Sequence, residues 1–277
     1  MSKIAIDAGH SLKTAGKRCM KKLDPKETRE WTLNSRIAEK LEKLLEPYKC
    51  EVLRVDDVTG AKDIPLADRC KKANDWKADI YISIHHNAGI GGKAGGGTVV
   101  FYYSDKPERA TQAKYLYNCL VGLTGLVGNR AQKVIKKGFY VIKNTKMPSF
   151  LIENGFMDSP TDVPIILSEK HADMSAQALL NFLVKELKLS KKTASVKPVQ
   201  NNTNSTTAPA SFKVKILVDE LNIRNGAGTE YKVTGVIKDK GTYTITKTAK
   251  SSSGGSWGKL KSGAGWINIS SKYVKRV

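Results

Sequence analysis

Acidic residues are few in this chain. Its 277 residues hold 26 Asp and Glu against 47 Lys and Arg, a formal net charge of +21. That imbalance favours anionic polymers as partners, either nucleic acid or a phosphate-rich Gram-positive wall. No Lys/Arg-rich run interleaved with aromatic residues occurs, and the lysines are spread throughout. The missing motifs weigh against nucleic acid. Cysteine is scarce as well. Cys19, Cys50, Cys70 and Cys119 stand far apart, with no CxxC or other metal-binding spacing. A chain this rich in core-forming residues has no need of disulfides, so four free thiols are expected. Long apolar runs are absent too. Nothing is long enough for a membrane helix, and Met1-Ser-Lys-Ile-Ala-Ile-Asp7 runs straight into a strand without a signal-peptide stretch. The expectation is a protein made in the cytoplasm, with no membrane insertion, whose export would use another route.

Residues 191–211 lack any aromatic or acidic residue and consist mostly of Thr, Ser, Asn, Ala, Pro, Lys and Val. That composition predicts a flexible linker between a domain at 1–190 and a second at 212–277.

The first domain alternates in the α/β manner. Strands are expected near 3–7, 50–55, 79–85 and 98–103, with extended segments at 134–142 and 149–153. Helices are expected near 29–46, 65–76, 108–124 and 171–187. The first helix carries an apolar stripe of Leu33, Ile37, Leu41, Leu44 and Leu45, with Thr28 as its N-cap. The glycine-rich residues 89–97 read as a mobile loop. The fold class is therefore α/β, a twisted and mostly parallel sheet with helices on both faces. The second domain shows short alternating runs split by Gly, Asp and Ser, the pattern of a small all-β barrel or sandwich. It carries 13 basic and 4 acidic residues, a net of +9.

Three apolar stretches end in a ligand or acid-base residue: Lys3 to His10, Asp79 to His85, and Ser149 to Glu153. Sites in open parallel sheets form at the carboxyl ends of strands. Gly9 would let the chain turn at the sheet edge and expose His10. A carboxylate closing an apolar strand, as Glu153 does, is costly to bury without a role. Glu30, near the start of the first helix, is a fourth candidate, though Glu27 and Asp24 lie close by. An acid in a first helical turn commonly just complements the dipole. His85 and His86 point to opposite sides of an extended chain, and periodicity does not choose between them. His171 is expected on the surface, at the start of the last helix. A pair of His with one Glu and a water is a catalytic zinc set, with a further carboxylate for acid-base work, so the pattern points to a metal-dependent hydrolase.

Five segments then form a recognisable series: Ile6-Asp-Ala-Gly-His10, Glu30-Trp-Thr-Leu-Asn34, Leu66-Ala-Asp-Arg69 with Ala73-Asn74, Ala78 to Asn87, and Asn144 to Pro148 with Leu151 to Phe156. In that order they resemble the zinc-dependent N-acetylmuramoyl-L-alanine amidases of bacterial autolysins and phage endolysins, over residues 1 to about 187. The resemblance implies that His10, Glu30 and His85 hold Zn2+ and that Glu153 is the catalytic carboxylate. It decides for Glu30 over Glu27. His86 falls where the family usually has a small residue, and so contacts substrate or fills space. Asn87 matches the family and counts as a substrate-side residue.

The tail resembles the bacterial SH3-type wall-binding module, through Leu221-Asn-Ile-Arg-Asn-Gly-Ala-Gly-Thr-Glu-Tyr231, Gly265-Trp-Ile and Ser271-Lys-Tyr-Val274. Asn225 and Ala227 depart from its usual residues. Tyr231, Trp257, Trp266 and Tyr273 are either a glycan or peptide platform or fillers of the small core. Together these readings imply an endolysin that cuts the amide between N-acetylmuramic acid and L-alanine in bacterial peptidoglycan, reaching the wall when a holin opens the membrane. A bacterial autolysin of the same chemistry, a metal-dependent peptidoglycan peptidase and a non-catalytic wall binder are the alternatives.

Overall fold

A computed structural model of the chain describes residues 1–192, 211–229, 231–251 and 255–277. The chain divides into two compact units, Met1–Ser195 and Val196–Val277. Most of the linker expected at 191–211 lies outside the described residues.

The first unit runs β1 (Ser2–Ala8), α1 (Glu30–Leu45), β2 (Cys50–Arg54), α2 (Leu66–Asp75), β3 (Ile80–Asn87), β4 (Thr98–Tyr102), α3 (Pro107–Thr124), β5 (Val134–Lys136), α4 (Tyr140–Lys143), β6 (Ser149–Phe156), α5 (Val163–Ile166) and α6 (Glu169–Glu186). Its sheet has the order β2-β1-β3-β6-β4-β5. The first four strands of that order are parallel, and β4 runs antiparallel to β6.

Side-chain alternation explains the layers. Ile4 and Ile6 of β1, Ile80, Ile82 and Ile84 of β3, and Phe150 and Ile152 of β6 join α1, α3 and α6 in one core. The opposite positions, Ala5, Tyr81 and Leu151, join Cys70, Ala73, Val141 and Ile142 from α2 and α4. Both faces of the sheet are therefore covered, which is why its strands read as nearly continuous apolar runs.

Four expectations change. Residues 134–142 are not one extended segment. Only 134–136 is strand, and 140–143 forms a helical turn. A strand would send Val141 and Ile142 to opposite faces, whereas the turn buries both on the α2 side. Thr28 does not cap α1. The cap is Arg29, without a side-chain bond. The Glu30 N–H is instead satisfied by the Lys17 carbonyl at 3.0 Å. The glycine-rich stretch 89–97 is pinned by hydrogen bonds to the residues that follow β6. One Asp158 oxygen accepts from the N–H groups of Gly89, Ile90 and Gly91, each at 2.8 Å, and Asp162 accepts from Gly97 at 2.7 Å. His171 is buried, with 1 % exposure, not on the surface. All four cysteines are free thiols.

The second unit is antiparallel and all-β: β7 (Phe212–Ile216), β8 (Leu221–Arg224), β9 (Val233–Ile237), β10 (Thr242–Lys250), β11 (Ser256–Leu260), β12 (Trp266–Asn268) and β13 (Val274–Arg276). The sheet order is β13-β7-β10-β11-β12-β8-β9. Val214, Ile216, Leu221, Ile237, Ile245, Leu260, Ile267 and Val274 fill its core. Among the described residues, no helix is long and apolar enough to cross a membrane.

Candidate metal centre

The centre is built at the carboxyl ends of β1, β3 and β6, adjacent strands of the sheet. After β1 the chain turns at Gly9, whose N–H donates to the Ile84 carbonyl at 3.0 Å. The turn brings Gly9 hard against the ring of His85. A Cβ at residue 9 would sit 1.9 Å from His85 Cε1, so only glycine fits. His10 follows with φ 69, a left-handed conformation that a non-glycine residue adopts only when its surroundings fix it.

Arg69 of α2 does the fixing. It is 1 % exposed. Its Nη1 donates to the Ala8 carbonyl at 3.0 Å and to Asp7 Oδ1 at 2.6 Å, and its Nη2 donates to the His10 carbonyl at 3.1 Å. Asp7 is equally buried and also accepts from Tyr81 Oη at 3.0 Å and Ser83 Oγ at 2.8 Å. Burial alone would raise the Asp7 pKa, but the Arg69 guanidinium and these donors outweigh it and hold the carboxyl below its ordinary value.

Glu30 opens α1 and reaches into the same place, 1 % exposed. Its Oε1 lies 3.0 Å from His85 Nδ1 and accepts the His86 N–H at 3.2 Å. Its Oε2 lies 3.3 Å from His10 Nε2 and 3.8 Å from the Lys17 ammonium. Burial works to raise its pKa, yet the hydrogen bond and charge of His85, with His10 and Lys17, bring it down to about 2. One donor atom from each of His10, Glu30 and His85 lies within 4.8 Å of the others. Glu30 Oε2 is shut off from solvent and accepts no hydrogen bond. A buried carboxylate oxygen left so is costly. A divalent cation between the carboxylate and the two imidazoles removes that cost, so the donor set fits a metal ion.

Glu153 of β6 stands opposite His85 of β3 in the strand register. Its Oε2 is also solvent-excluded without a hydrogen-bond partner. Burial, helped by the Glu30 charge and opposed by His85, pushes its carboxyl up to about 8. His10, His85 and Glu153 share one cavity of about 460 Å³. Lys17, Ile64, Leu66, Phe139 and Tyr140 form part of its wall.

The structure separates the two adjacent histidines. His85 lines the cavity. His86 faces the α1 side, 2 % exposed, with its Nδ1 2.8 Å from Asn34 Oδ1. Asn34 Nδ2 in turn donates to the Gly9 carbonyl at 3.0 Å. His86 thus fills space and braces the turn from behind. His171, expected on the surface, lies with its ring 6.3 Å from that of His86. The first turn of α6 carries it inward, and a neighbour 85 residues away cannot be seen from local pattern.

Asn87 directs Oδ1 to the Ala88 N–H at 2.8 Å, into the following loop. In the second unit, Tyr231 is 45 % exposed, Trp266 and Tyr273 are half-buried, and Trp257 is 3 % exposed and presents no ring face to solvent. Tyr273 packs against the core. Sequence reasoning left Asp7, Arg69 and Lys17 without roles. An Asp inside the apolar stretch Ile4 to Ala8 was the available signal, since a buried carboxylate demands a cationic partner.

Residues 4–185 match the family described as N-acetylmuramoyl-L-alanine amidase. The chain is 28 % identical over 287 residues to an endolysin of Bacillus phage SPP1, covering 99 % of this chain and 98 % of that one. It is 30 % identical over 223 residues to the N-acetylmuramoyl-L-alanine amidase CwlM of Bacillus licheniformis, covering 80 % and 79 %. Among solved structures, the catalytic domain of the amidase CwlV from Bacillus (Paenibacillus) polymyxa matches with a TM-score of 0.60 at 26 % identity, covering 69 % of this chain and 100 % of that one. An N-acetylmuramoyl-L-alanine amidase from Clostridium difficile 630 matches with the same TM-score and identity, covering 68 % and 97 %.

Proposed function

The chain belongs to the N-acetylmuramoyl-L-alanine amidase family and acts on peptidoglycan, and we propose that it does so with one zinc ion held by His10, Glu30 and His85. The bond cut is the amide between the lactyl group of N-acetylmuramic acid and L-alanine. The observation that carries this reading is the convergence of those three donors within 4.8 Å, two of which, His10 and His85, line one cavity with Glu153.

Bound there, zinc supplies Lewis-acid polarisation of the scissile carbonyl and lowers the pKa of a water toward about 7. The chain's own residues do the rest. Glu153, on β6 in the cavity that His10 and His85 line, accepts the proton of the attacking water. It then gives that proton to the departing alanine nitrogen, which leaves as an amine rather than an amide anion. Atoms balance as one water consumed, one lactyl carboxylate formed and one L-alanine amine released. Arg69 and Asp7 hold the turn that presents His10, and Asn34 with His86 holds it from the other side.

The match along nearly the whole length of a phage endolysin supports an endolysin role. On that reading the second unit is an SH3-type module, joined by a linker at 191–211, that keeps the enzyme at a Gram-positive wall. Release through a holin-opened membrane completes the proposal.

Metal analysis of the purified full-length protein tests it. One zinc per chain is expected, with loss of wall digestion on chelation and recovery on adding zinc. A metal-free preparation of full activity would overturn the proposal.

A further inference from the structure

The second unit segregates its charge. Three of its four acidic residues, Asp219, Glu220 and Asp239, lie in the loops β7–β8 and β9–β10. Lys240 pairs with Asp219 at 2.9 Å and Lys238 with Glu220 at 3.2 Å. The fourth acid, Glu230, is outside the described residues. The opposite situation holds across β10, β11, β12 and β8. There the register sets Lys247 opposite Lys259, Lys259 opposite Trp266, and Trp266 opposite Arg224. Directly opposed residues in an antiparallel sheet share a face. These four side chains therefore form one row across the outside of the sheet. Lys247 and Lys259 are exposed, Trp266 and Arg224 half-exposed.

A row of this kind is unfavourable on its own. Like charges placed directly opposite one another destabilise a sheet. This sheet does so twice, at Lys247–Lys259 and again at Lys215–Lys275. Among the described residues, no acid pairs with any of these four lysines. Strands sit about 4.8 Å apart, so the row from Lys247 to Arg224 spans about 14 Å. It presents cation, cation, indole, cation in that order. The Arg224 head is further fixed by donating from Nη1 to the Thr229 and Tyr231 carbonyls, at 2.9 and 2.7 Å.

We propose that this row is a docking strip for a wall-anchored polymer of polyol units linked by phosphodiesters. Each phosphate supplies the negative charge that the paired lysines lack. The carbon skeleton between phosphates lies on the half-exposed face of Trp266. The inference rests on the peptidoglycan reading above, which places the unit at the wall, and it names the ligand of the second unit. It also separates the roles of the aromatic residues: Trp266 touches ligand, while Trp257 and Tyr273 do not.

The test uses the full-length protein and a synthetic poly(glycerol phosphate) oligomer as probe. Lys247→Thr/Lys259→Thr is compared with Lys238→Thr/Lys240→Thr, which removes the same charge from the acidic end. The first pair should weaken binding about tenfold or more, the order expected for two lost lysine contacts to an anionic surface. Its melting temperature should hold or rise, because a like-charge pair is gone. The second pair should bind within about threefold of the native protein, and Trp266→Ala should weaken binding without altering its salt dependence. Equal losses in the two lysine pairs would overturn the strip in favour of bulk charge. So would native protein that ignores the probe, or that prefers a DNA oligonucleotide in the presence of excess polymer. Cleavage of walls stripped of phosphodiester polymers is measured in parallel. Native and strip variants should cut such walls equally. If the native protein fails to cut them, the amidase reading fails and the docking result stands by itself.

Discussion

Replacing Gly9 with alanine should cost the protein its metal while sparing its fold. The added Cβ would lie 1.9 Å from His85 Cε1, 2.3 Å from Nε2 and 2.4 Å from Nδ1. Ordinary contact begins near 3.4 Å, so the imidazole must retreat by about 1.5 Å. A zinc–nitrogen bond is about 2.0–2.1 Å long and does not survive a displacement of that size. Loss of a supporting group alone commonly costs about 10–100-fold in metal affinity, and displacing a ligand should cost at least the upper end of that range. The backbone itself accepts alanine, since Gly9 is not in the left-handed region. Chelator competition gives the affinity and thermal melting gives the fold. The double-mutant cycle with His85→Ala isolates the cause, because once the ring is gone the extra methyl has nothing to strike. Affinity of Gly9→Ala within about threefold of native would refute the reasoning. So would an equal penalty from that methyl with and without the His85 ring.

Glu153→Gln should keep zinc at one per chain and lose about 10²–10⁴-fold in rate, since only proton transfer is removed; stoichiometric zinc loss would show that Glu153 is a ligand instead. His85→Ala should lose the metal, whereas His86→Ala should retain it with a lower melting temperature, because His86 meets Asn34 and not the cavity; the reverse pattern would contradict the site. Acid should destabilise the first unit from about pH 6.5 downward. Burial lowers the pKa of His86 from 6.5 to about 3 and of His171 from 6.5 to about 4. The unfolded chain takes up protons that the folded one refuses, so stability present above 6.5 is lost as pH falls toward those values. The slope is up to about 1.4 kcal/mol per pH unit for each histidine. Melting temperature against pH should flatten in His171→Gln, and an unchanged slope would remove these histidines from the explanation.

Much of this was legible in the chain because strand ends are legible. Apolar runs closing in His10, His85 and Glu153 mark three neighbouring strands whose carboxyl ends must share an edge. The choice within His85 and His86 was not, because alternation fixes only that they oppose each other. The packing of α1 on one face of β3 decides which is buried. Glu27 and Glu30 differ in the same way. Glu27 faces Arg18 near the surface at 3.0 Å, and Glu30 starts the helix proper and is drawn under it. Arg69 and Asp7, 62 residues apart, had no local signature as a pair. His171 read as a surface residue because an early helical position looks solvated until the neighbouring strand is placed. In the second unit the alternation identified strands, but the cross-strand register that lines up Lys247, Lys259, Trp266 and Arg224 came only from the folded sheet.

Which bond the enzyme cuts is read most directly by mass spectrometry of the muropeptides released from purified sacculi. Free lactyl carboxylates on N-acetylmuramic acid are expected, with L-alanine amino termini in equal amount and both lost in Glu153→Gln. New reducing sugar ends, or amino termini other than L-alanine, would contradict that expectation.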